Sequence, residues 1–517
     1  MRSELCRLIA LVLLWGPAGT GLLAQSSGNS GTGSYEVHIR DREAVLFPFD
    51  HEAIPFRSGL EVSLQKARRY KNNPVLRVGE RGQPDSVGVA LYGTVIPIGG
   101  EFRMWYLCAG DREKGAGFSW MPGVRWRVCY ATSKDGINWQ KPDLGLVEYG
   151  GNTRNNLVAL EPIKGDAIAS VVIYEPDAAD PQKRFKMIYE NPGLSNSAAY
   201  SPDGLRWTNS SGNPVTKSLK LEPSGLIKYN GLYYLIGQGG FKKRVLVVAA
   251  SPDFEHWTEA VSLGFRRDSL GLLQPRPFGG KTGEQVHLGA SLWDRENVIL
   301  GFYGQWHGPD LESDDRRDMR MDVGLVISHD ALHYYEPIPD FKIIPAGDEK
   351  FAVLGFSARL VQAQGFLNVG GQTLTYYSLW GPGGADGVYL ATWDRDRLGW
   401  YSVPSAATEG QEPVKGVEPQ FISCPIWIDK PRANVYVNAG GLGEHSQVTV
   451  EVLDDKFQPI PGLSGADSLP LKKQGFREQV LWRGGESLHK FSHPIRLRVK
   501  FGGLQMERAR VYAVYLD

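Results

Sequence analysis

Three carboxylates stand at the head of three successive strand-like runs of this chain. Asp85 precedes VALYGTVI, Asp166 precedes AIASVVIYE, and Glu222 precedes GLIKY. Such a set can break a glycosidic bond. One carboxylic acid protonates the leaving oxygen, and a second carboxylate attacks the anomeric carbon or activates water. A third carboxylate nearby raises the pKa of the acid, because like charges disfavour ionisation. In that scheme Glu222 is the acid, Asp85 the base or nucleophile, and Asp166 the modulator that also holds a sugar hydroxyl. Glu284 and His287 at the fourth run (EQVHLGASLW) and Arg359 ahead of the fifth (LVQAQ) are candidates to bind substrate hydroxyls. Glu175, at the far end of the second run, and Asp50, in LFPFDHEAIPF, are alternative carboxylates. Trp105, Trp120, Trp126, Trp293, Trp306 and Trp380 offer faces on which a sugar could stack, although most such rings pack between sheets.

Residues so far apart meet only if a repeated element brings them together. The repeat is visible in Ser133-Lys-Asp135-Gly136-Ile-Asn-Trp139, which returns as Ser201-Pro-Asp203-Gly204-Leu-Arg-Trp207 and as Ser251-Pro-Asp253-Phe-Glu-His-Trp257. Weaker copies are Ser328-His-Asp330-Ala-Leu-His-Tyr334 and a longer Thr392-Trp-Asp394 through Trp400. An Asp carboxylate accepts backbone N–H groups two residues on, and Gly supplies a positive φ, so each phrase predicts a turn with a structural task. Three strand-like runs precede each turn and one follows it, a four-stranded antiparallel unit recurring along the chain. The chain is therefore expected to be all-β, with a five-bladed β-propeller over residues 36–410. Residues 36–80 are expected to cross to another blade and help close the ring. Short alternating strands without the Asp phrase predict a β-sandwich over 411–517. In a propeller the innermost strands line a channel, so their starts converge on one funnel, which is why Asp85, Asp166 and Glu222 stand out.

Composition narrows the partners. With 57 basic and 57 acidic residues in 517, no global field draws the chain to nucleic acid or an anionic surface. Arg2 and Arg7 lead an apolar run from Leu8 to Trp15, followed by small residues near Ala24. This predicts a signal peptide over 1–24 and a secreted or periplasmic protein, with no membrane insertion after cleavage. Residues 25–35, rich in Gly and Ser, predict a flexible tether. Beyond Cys6 there remain Cys108, Cys129 and Cys424, which make no metal-ligand spacing. Cys108 and Cys129 fall on two runs expected to pair, where a bridge and two buried thiols are equally compatible. No cofactor is expected, and the partner is a carbohydrate acted on by a monomer or small homo-oligomer.

A five-bladed propeller with Asp, Asp and Glu on its first three inner strands resembles the glycoside hydrolases of families 32, 43, 62, 68 and their relatives. YATSKDGINWQKPDLGLVEYGGNTRNN (130–156) is similar to a phrase of uncharacterised exported bacterial members. The resemblance implies a secreted glycoside hydrolase acting on furanosides or pyranosides of oligo- or polysaccharides, and it is compatible with a structural calcium ion. The Asn-Asp-Pro-Asn-like, Arg-Asp-Pro and Glu-Cys signatures of the fructosidases are absent, so family 32 specificity is not implied. The alternative is a non-catalytic carbohydrate-binding propeller whose acids cap strand starts. A sialidase would need an arginine cluster and a Tyr–Glu pair, and a propeller phosphorylase a basic phosphate site.

Overall fold

The computed structural model describes residues 35–517 except 112–116, 119–120, 162–166, 192–194, 218, 241–243, 268–283, 308–319, 349–358, 363, 382–383 and 405–417. The predicted signal peptide and nearly all of the tether lie outside the described residues, as does Asp166. Within the described residues the chain is all-β. Its helical elements there are four three-residue 3-10 turns, and no described helix is long and apolar enough to cross a membrane.

Five antiparallel sheets follow one another along the chain. The first orders Gly88–Ile98, Glu101–Ala109, Trp126–Ser133 and Trp139–Gln140 from its inner to its outer edge. The second runs Ser170–Tyr174, Phe185–Glu190, Asn196–Ser201 and Arg206–Asn209, with Ala159–Glu161 added in parallel outside. The third is Glu222–Tyr229, Leu232–Gly239, Val245–Ser251 and Ser262–Phe265. The fourth has three strands, Gln285–Asp294, Ile299–His307 and Arg320–Ser328. The fifth builds on Leu360–Gln362, Gln372–Gly381 and Gly387–Asp394.

Burial on both faces makes these strands apolar on both sides, and the clusters between them are cyclic. One core joins the first and second sheets through Trp105, Phe185 and Met187. The next joins the second and third through Ile188 and Leu235, and another the third and fourth through Ile236 and Tyr303. Phe302 and Trp393 join the fourth and fifth. Tyr106, Met104 and Tyr376 then join the fifth back to the first. Closure is sealed by the chain's own N-terminal part: Arg68–Arg69 and Leu76–Arg77 pair antiparallel with Gly387–Asp394 as the outer edge of the fifth sheet. The crossing anticipated for residues 36–80 is thus present.

The recurring phrase makes one turn four times. Ser133 Oγ accepts the N–H of Gly136 at 3.0 Å, while Asp135 Oδ1 accepts those of Ile137 and Asn138 at 2.9 and 2.8 Å. The same bonds recur at Ser201/Asp203, Ser251/Asp253 and Ser328/Asp330. The third turn position has φ of +74° at Gly136 and +79° at Gly204, yet Phe254 (+71°) and Ala331 (+62°) adopt it too. The left-handed conformation costs a side-chain-bearing residue about 1–2 kcal/mol, so the Ser and Asp side-chain bonds must offset it. Neighbouring sheets hold on to this turn. Tyr376 of the fifth sheet donates to Gly136 O at 2.6 Å, and Trp105 of the first donates to Gly204 O at 2.7 Å. The fifth phrase departs. Asp396 is buried against Arg295 and takes φ +58°, and Gly399–Ser402 leaves the sheet to pair with Glu61–Leu64.

Most of the remaining strands form a six-stranded and a four-stranded sheet, with short two-stranded pairs beside them, around one apolar core that includes Val437, Val450, Val499 and Val511. Val37–Ile39, Ala44–Leu46, Phe56–Ser58 and Glu61–Leu64 all pair with strands between Gly399 and Leu516. Strand pairing therefore crosses the boundary expected at 410. The N-terminal residues up to about 64 supply edges to the C-terminal sheets, where apolar side chains such as Val37, Ile39 and Leu46 find a core.

Cys108 and Cys129, whose pairing the sequence left open, are joined in a disulfide across the second and third strands of the first sheet. Closing a loop of 21 residues stabilises by about 3 kcal/mol in the chain-entropy account. Replacing both cysteines by alanine is expected to lower the urea midpoint correspondingly. Peptide mapping without reductant should recover the linked pair, and a wild-type midpoint insensitive to reductant would contradict the bridge.

Candidate functional site

The expected carboxylates do not share one set of partners. Asp85 is 1% exposed and accepts from the Tyr106 hydroxyl at 2.9 Å, and Lys141 Nζ stands 2.5 Å from the same oxygen. Lys141 follows the outermost strand of the first sheet, and the Asp85 carboxylate is held in an ion pair with it. Glu175 is held by Lys186, by Lys228 at 2.6 Å and by the Tyr233 hydroxyl at 2.7 Å. It borders a cavity of about 330 Å3 at the opposite mouth of the ring, together with Trp293, Asp294 and Phe366. Asp50 is fully buried and accepts the N–H groups of Glu52 and Ala53 and a bond from His329 at 3.0 Å. Each of the three is thus held by a neighbouring cation, hydroxyl or backbone N–H.

Glu222 opens the inner strand of the third sheet, as expected, and there it meets a carboxylate the sequence reading passed over. Glu190 ends the second strand of the second sheet and is 2% exposed. Its cross-strand partner Asn196 donates Nδ2 to Leu221 O at 3.1 Å, tying that sheet edge to the residue before Glu222. Glu222 pairs across its own sheet with Gln238. Gln238 Oε1 accepts from Arg244 Nη1 and from the Leu288 N–H, both at 3.1 Å. The Arg244 guanidinium lies over the Trp306 ring, 4.4 Å from its centre. His287 lies 5.7 Å from the same ring, and Trp380 meets Tyr92 edge-on at 5.4 Å and Trp126 at 5.7 Å. Arg359, 7% exposed, sits beside this floor through its backbone contacts with Met321 and Trp380.

Irregular inner strands aim these groups. The first, third and fourth inner strands are bulged at Ala90/Thr94, Pro223/Gly225 and His287/Ala290. A bulge breaks the alternation and re-aims side chains. Tyr92, Ser224 and Leu288 border the small void left on the axis, about 10 Å3, with Ser170 and Gln362. That is about the space of one water molecule.

The acid pair is electrostatically uneven. Burial pushes the Glu190 carboxyl well up, and the neighbouring Glu222 charge pushes it further. Burial also raises Glu222, but the Arg244 cation opposes it. Glu190 is thus the group that keeps its proton, and its Oε2 is buried with no hydrogen-bond partner. Burial and both carboxylates raise the Tyr92 hydroxyl too, so it stays a donor. A neutral acid beside a carboxylate with a cationic neighbour, over aromatic rings, can protonate an ether oxygen and stabilise developing positive charge.

Glu284 lies outside that pair. Its Oε2 takes Arg267 Nη2 at 2.8 Å and His307 Nδ1 at 2.7 Å. Donor atoms of Glu284, His307 and Asp340 lie within 4.8 Å of one another, the spread of a cation site. Arg267, fully buried, already places Nη2 2.7 Å from Asp340 as well, so a guanidinium occupies the cation's role.

Looking only at inner-strand starts concealed Glu190. The second strand of each sheet runs antiparallel, so its end reaches the same mouth. Glu190, Gln238, Trp306 and Trp380 all stand at or next to such ends. Of the other tryptophans, Trp105 is locked under the Gly204 turn, Trp293 faces the opposite mouth, and Trp120 lies outside the described residues.

No family model matches the chain. An uncharacterized protein of Mycobacterium tuberculosis is 31% identical over 113 residues, 21% of this chain and 34% of that protein, so the match spans about a third of the relative's length. Similar solved structures are carbohydrate-active enzymes. A candidate glycoside hydrolase from Parabacteroides distasonis superposes with a TM-score of 0.44 at 14% identity, over 64% of this chain and 97% of that one. A β-1,2-mannobiose phosphorylase from Listeria innocua gives 0.42 at 15%, over 64% and 98%. The Bombyx mori GH32 β-fructofuranosidase gives 0.34 at 13%, over 86% and 94%. At such scores the chemistry of the site rests on the residues of this chain alone.

A carboxyl raised by burial binds its proton more tightly folded than unfolded, so stability falls as pH climbs from the ordinary glutamate range to the pKa of Glu190. Glu190→Gln should remove that slope and raise the melting temperature at neutral pH. Thermal melts from pH 4 to 8 test this, and a variant less stable than wild type throughout would show that Glu190 is a satisfied structural acid.

Proposed function

We propose that the chain is an exported glycoside-cleaving enzyme built as a five-bladed β-propeller with a β-sandwich, and that its site is the funnel holding Glu190 and Glu222. The observation that carries this reading is the buried carboxyl pair, one member with its Oε2 lacking a hydrogen-bond partner and the other opposed by Arg244, beside Tyr92, Trp306 and Trp380. Buried acids elsewhere among the described residues, such as Asp85 and Glu284, are matched by cations. An acid left unmatched costs stability and is retained where its proton is used.

Glu190 serves as the general acid, because burial and the Glu222 charge keep it protonated. Glu222 serves as the carboxylate, either as nucleophile or as the base that activates water. The roles expected from sequence are therefore redistributed: Glu222 stays in the reaction but gives up the proton-donor task, and Asp85 is reassigned to the fold. Asp166 keeps its modulating role on its position in the sequence alone. The aromatic rings offer apolar faces for a sugar, and Tyr92, Gln238 and His287 offer polar groups for its hydroxyls. Export is supported by the Cys108–Cys129 bridge, which persists in an oxidising compartment, and by the basic and apolar run at the N-terminus.

The test is a release assay on aryl furanosides, aryl pyranosides and plant or algal polysaccharides, with and without inorganic phosphate. Wild-type protein should cleave at least one class. Glu190→Gln and Glu222→Gln should each lose on the order of 100-fold or more in kcat. Asp85→Ala should instead lower stability by about 3 kcal/mol, since it strands Lys141, and leave kcat of the folded protein within twofold. Glu190 predicts a fall in activity as pH rises past its own raised pKa. Activity dependent on phosphate would identify phosphorolysis at the same pair. Glycan binding without release from any substrate would establish the non-catalytic reading and overturn this one.

A further inference from the structure

The charged cluster around Glu284, set aside above as a metal site, flanks the funnel closely. Gln285 and Trp306 are cross-strand partners in the fourth sheet, and Glu284 and His307 are the next residue on each strand. Gln285 Oε1 accepts the Arg244 N–H at 3.1 Å, and Trp306 carries the Arg244 guanidinium. Whatever fixes Glu284 and His307 therefore also fixes two of the residues that, with Gln238, hold Arg244, the cation that opposes the burial of Glu222.

His307 lies between two carboxylates on different strands. Its Nδ1 stands 2.7 Å from Glu284 Oε2, and its Nε2 stands 3.1 Å from Asp322 Oδ2. Nε2 is at ion-pair distance from Asp322 without hydrogen-bond geometry, so it is positive charge on the ring, not a second N–H bond, that links it to both carboxylates and favours the imidazolium. The ring is 16% exposed and Asp322 1%. Among the described residues, charged groups from several elements surround the ring. Arg267 reaches Glu284 from the end of the third sheet, and Glu336 and Asp340 surround that guanidinium. Arg320 stands 3.1 Å from the Asp322 oxygen that His307 meets. Asp322 Oδ1 is bonded by the Ala346 N–H. Asp322 and Glu284 are thus themselves held in place, and the histidine is the link between them.

We propose that His307, clamped between Glu284 and Asp322, is a positioning residue for the funnel: it pins the end of the strand that presents Trp306, and through that ring it holds Arg244 in its place opposite Glu222. This rests on the functional reading above for its effect on turnover, but not for the clamp itself. Burial acts to lower the His307 pKa, and its bonds to Asp322 and Glu284 more than compensate, so the ring titrates above the ordinary histidine value. The sign follows. A raised histidine contributes stability that is complete below its unfolded pKa and is lost as pH rises through its folded pKa. Above that pH one of the two contacts becomes a lone pair facing a carboxylate, the strand end loosens, and Arg244 loses its platform. The clamp therefore sets an alkaline limit on activity separate from the titration of Glu190.

The experiment follows the His307 ring by NMR in the full-length protein, with the indole N–H of Trp306 read in the same samples, alongside the pH dependence of kcat and KM. The two signals are assigned by their loss in His307→Gln and Trp306→Phe. The expected result is a His307 titration above 6.5, a Trp306 signal that shifts in step with it, and an alkaline limb of kcat at the same pH. Asp322→Asn, which keeps shape but removes one carboxylate charge, should move all three to lower pH together. His307→Gln, which keeps a single donor, should abolish that limb and lower kcat up to about 100-fold, as expected when a group at the reacting centre is misplaced. A His307 titration below 6.5, or a limb that stays put when Asp322→Asn moves the ring, would overturn the proposal. If the wild-type protein cleaves no glycoside, the functional reading fails on its own. The coupled His307 and Trp306 titrations then still decide the clamp, which fails if Trp306 ignores the ring.

Discussion

The constraint on which the rest depends is that five strands turn a free edge toward a common axis. An unpaired strand edge buried from water must satisfy its N–H and C=O groups by other means. Here side chains do it across the ring. Thr94 Oγ1 accepts the Val172 N–H at 2.9 Å, and Gln364 exchanges two bonds with the Leu226 backbone, at 2.7 and 2.8 Å. Gln362 donates to Gly289 O at 2.9 Å, and the Ser378 hydroxyl accepts the Leu91 N–H at 2.8 Å. The bulges belong to the same solution. They open the ladder where the strands crowd the axis, and in doing so turn Tyr92, Ser224 and Leu288 toward it. At the mouth where Glu222 and Trp306 stand, described side chains of several sheets come together.

Charge distribution around this scaffold separates structural from chemical acids. Asp85 has Lys141, Glu175 has two lysines, Glu284 has Arg267 and His307, and Asp396 has Arg295. Burying a carboxylate without such compensation is costly, and a buried pair is tolerated only when its geometry is good. Glu190 breaks that pattern. Its neighbour is another acid, the cation in reach serves Glu222 instead, and one of its oxygens has no partner. An acid held against its own stability is what proton donation near neutral pH requires. The same buried salt bridges that keep Glu284 silent keep Trp306 and Gln285 in register, so structural and chemical charges are adjacent without being interchangeable.

Legibility in the sequence tracked how local the physics was. The Asp turn is made within seven residues, so Ser133 to Trp139 announces it, and four copies fold as the composition of the phrase demands. The fifth, Thr392 to Trp400, looked like a degenerate copy but answers to distant partners, Arg295 and Glu61–Leu64, which no local pattern reveals. Glu222 stands out in the sequence because it opens an inner strand. Glu190 was missed because the same topological rule, applied to the antiparallel second strand, points to ends as well as starts. Asp85 satisfied the positional rule, yet the Tyr106 hydroxyl and Lys141 claim its carboxylate. Cys108 and Cys129 stood on paired runs, but whether they bridge depended on register across two strands.

By itself, then, the sequence determined that this protein is all-β and that its units repeat through an Asp-centred turn. Those properties follow from alternation, turn residues and spacing, which act over a few residues. The tertiary structure alone decided which carboxylates meet, which of them find a cation, and where the N-terminal strands pair. The reason is that proximity and burial are set by sheets packed around an axis. The charge state of Glu190 depends on Glu222 from the next sheet, and the surroundings of Glu222 on Arg244 and Trp306, residues the chain brings together only when the ring closes.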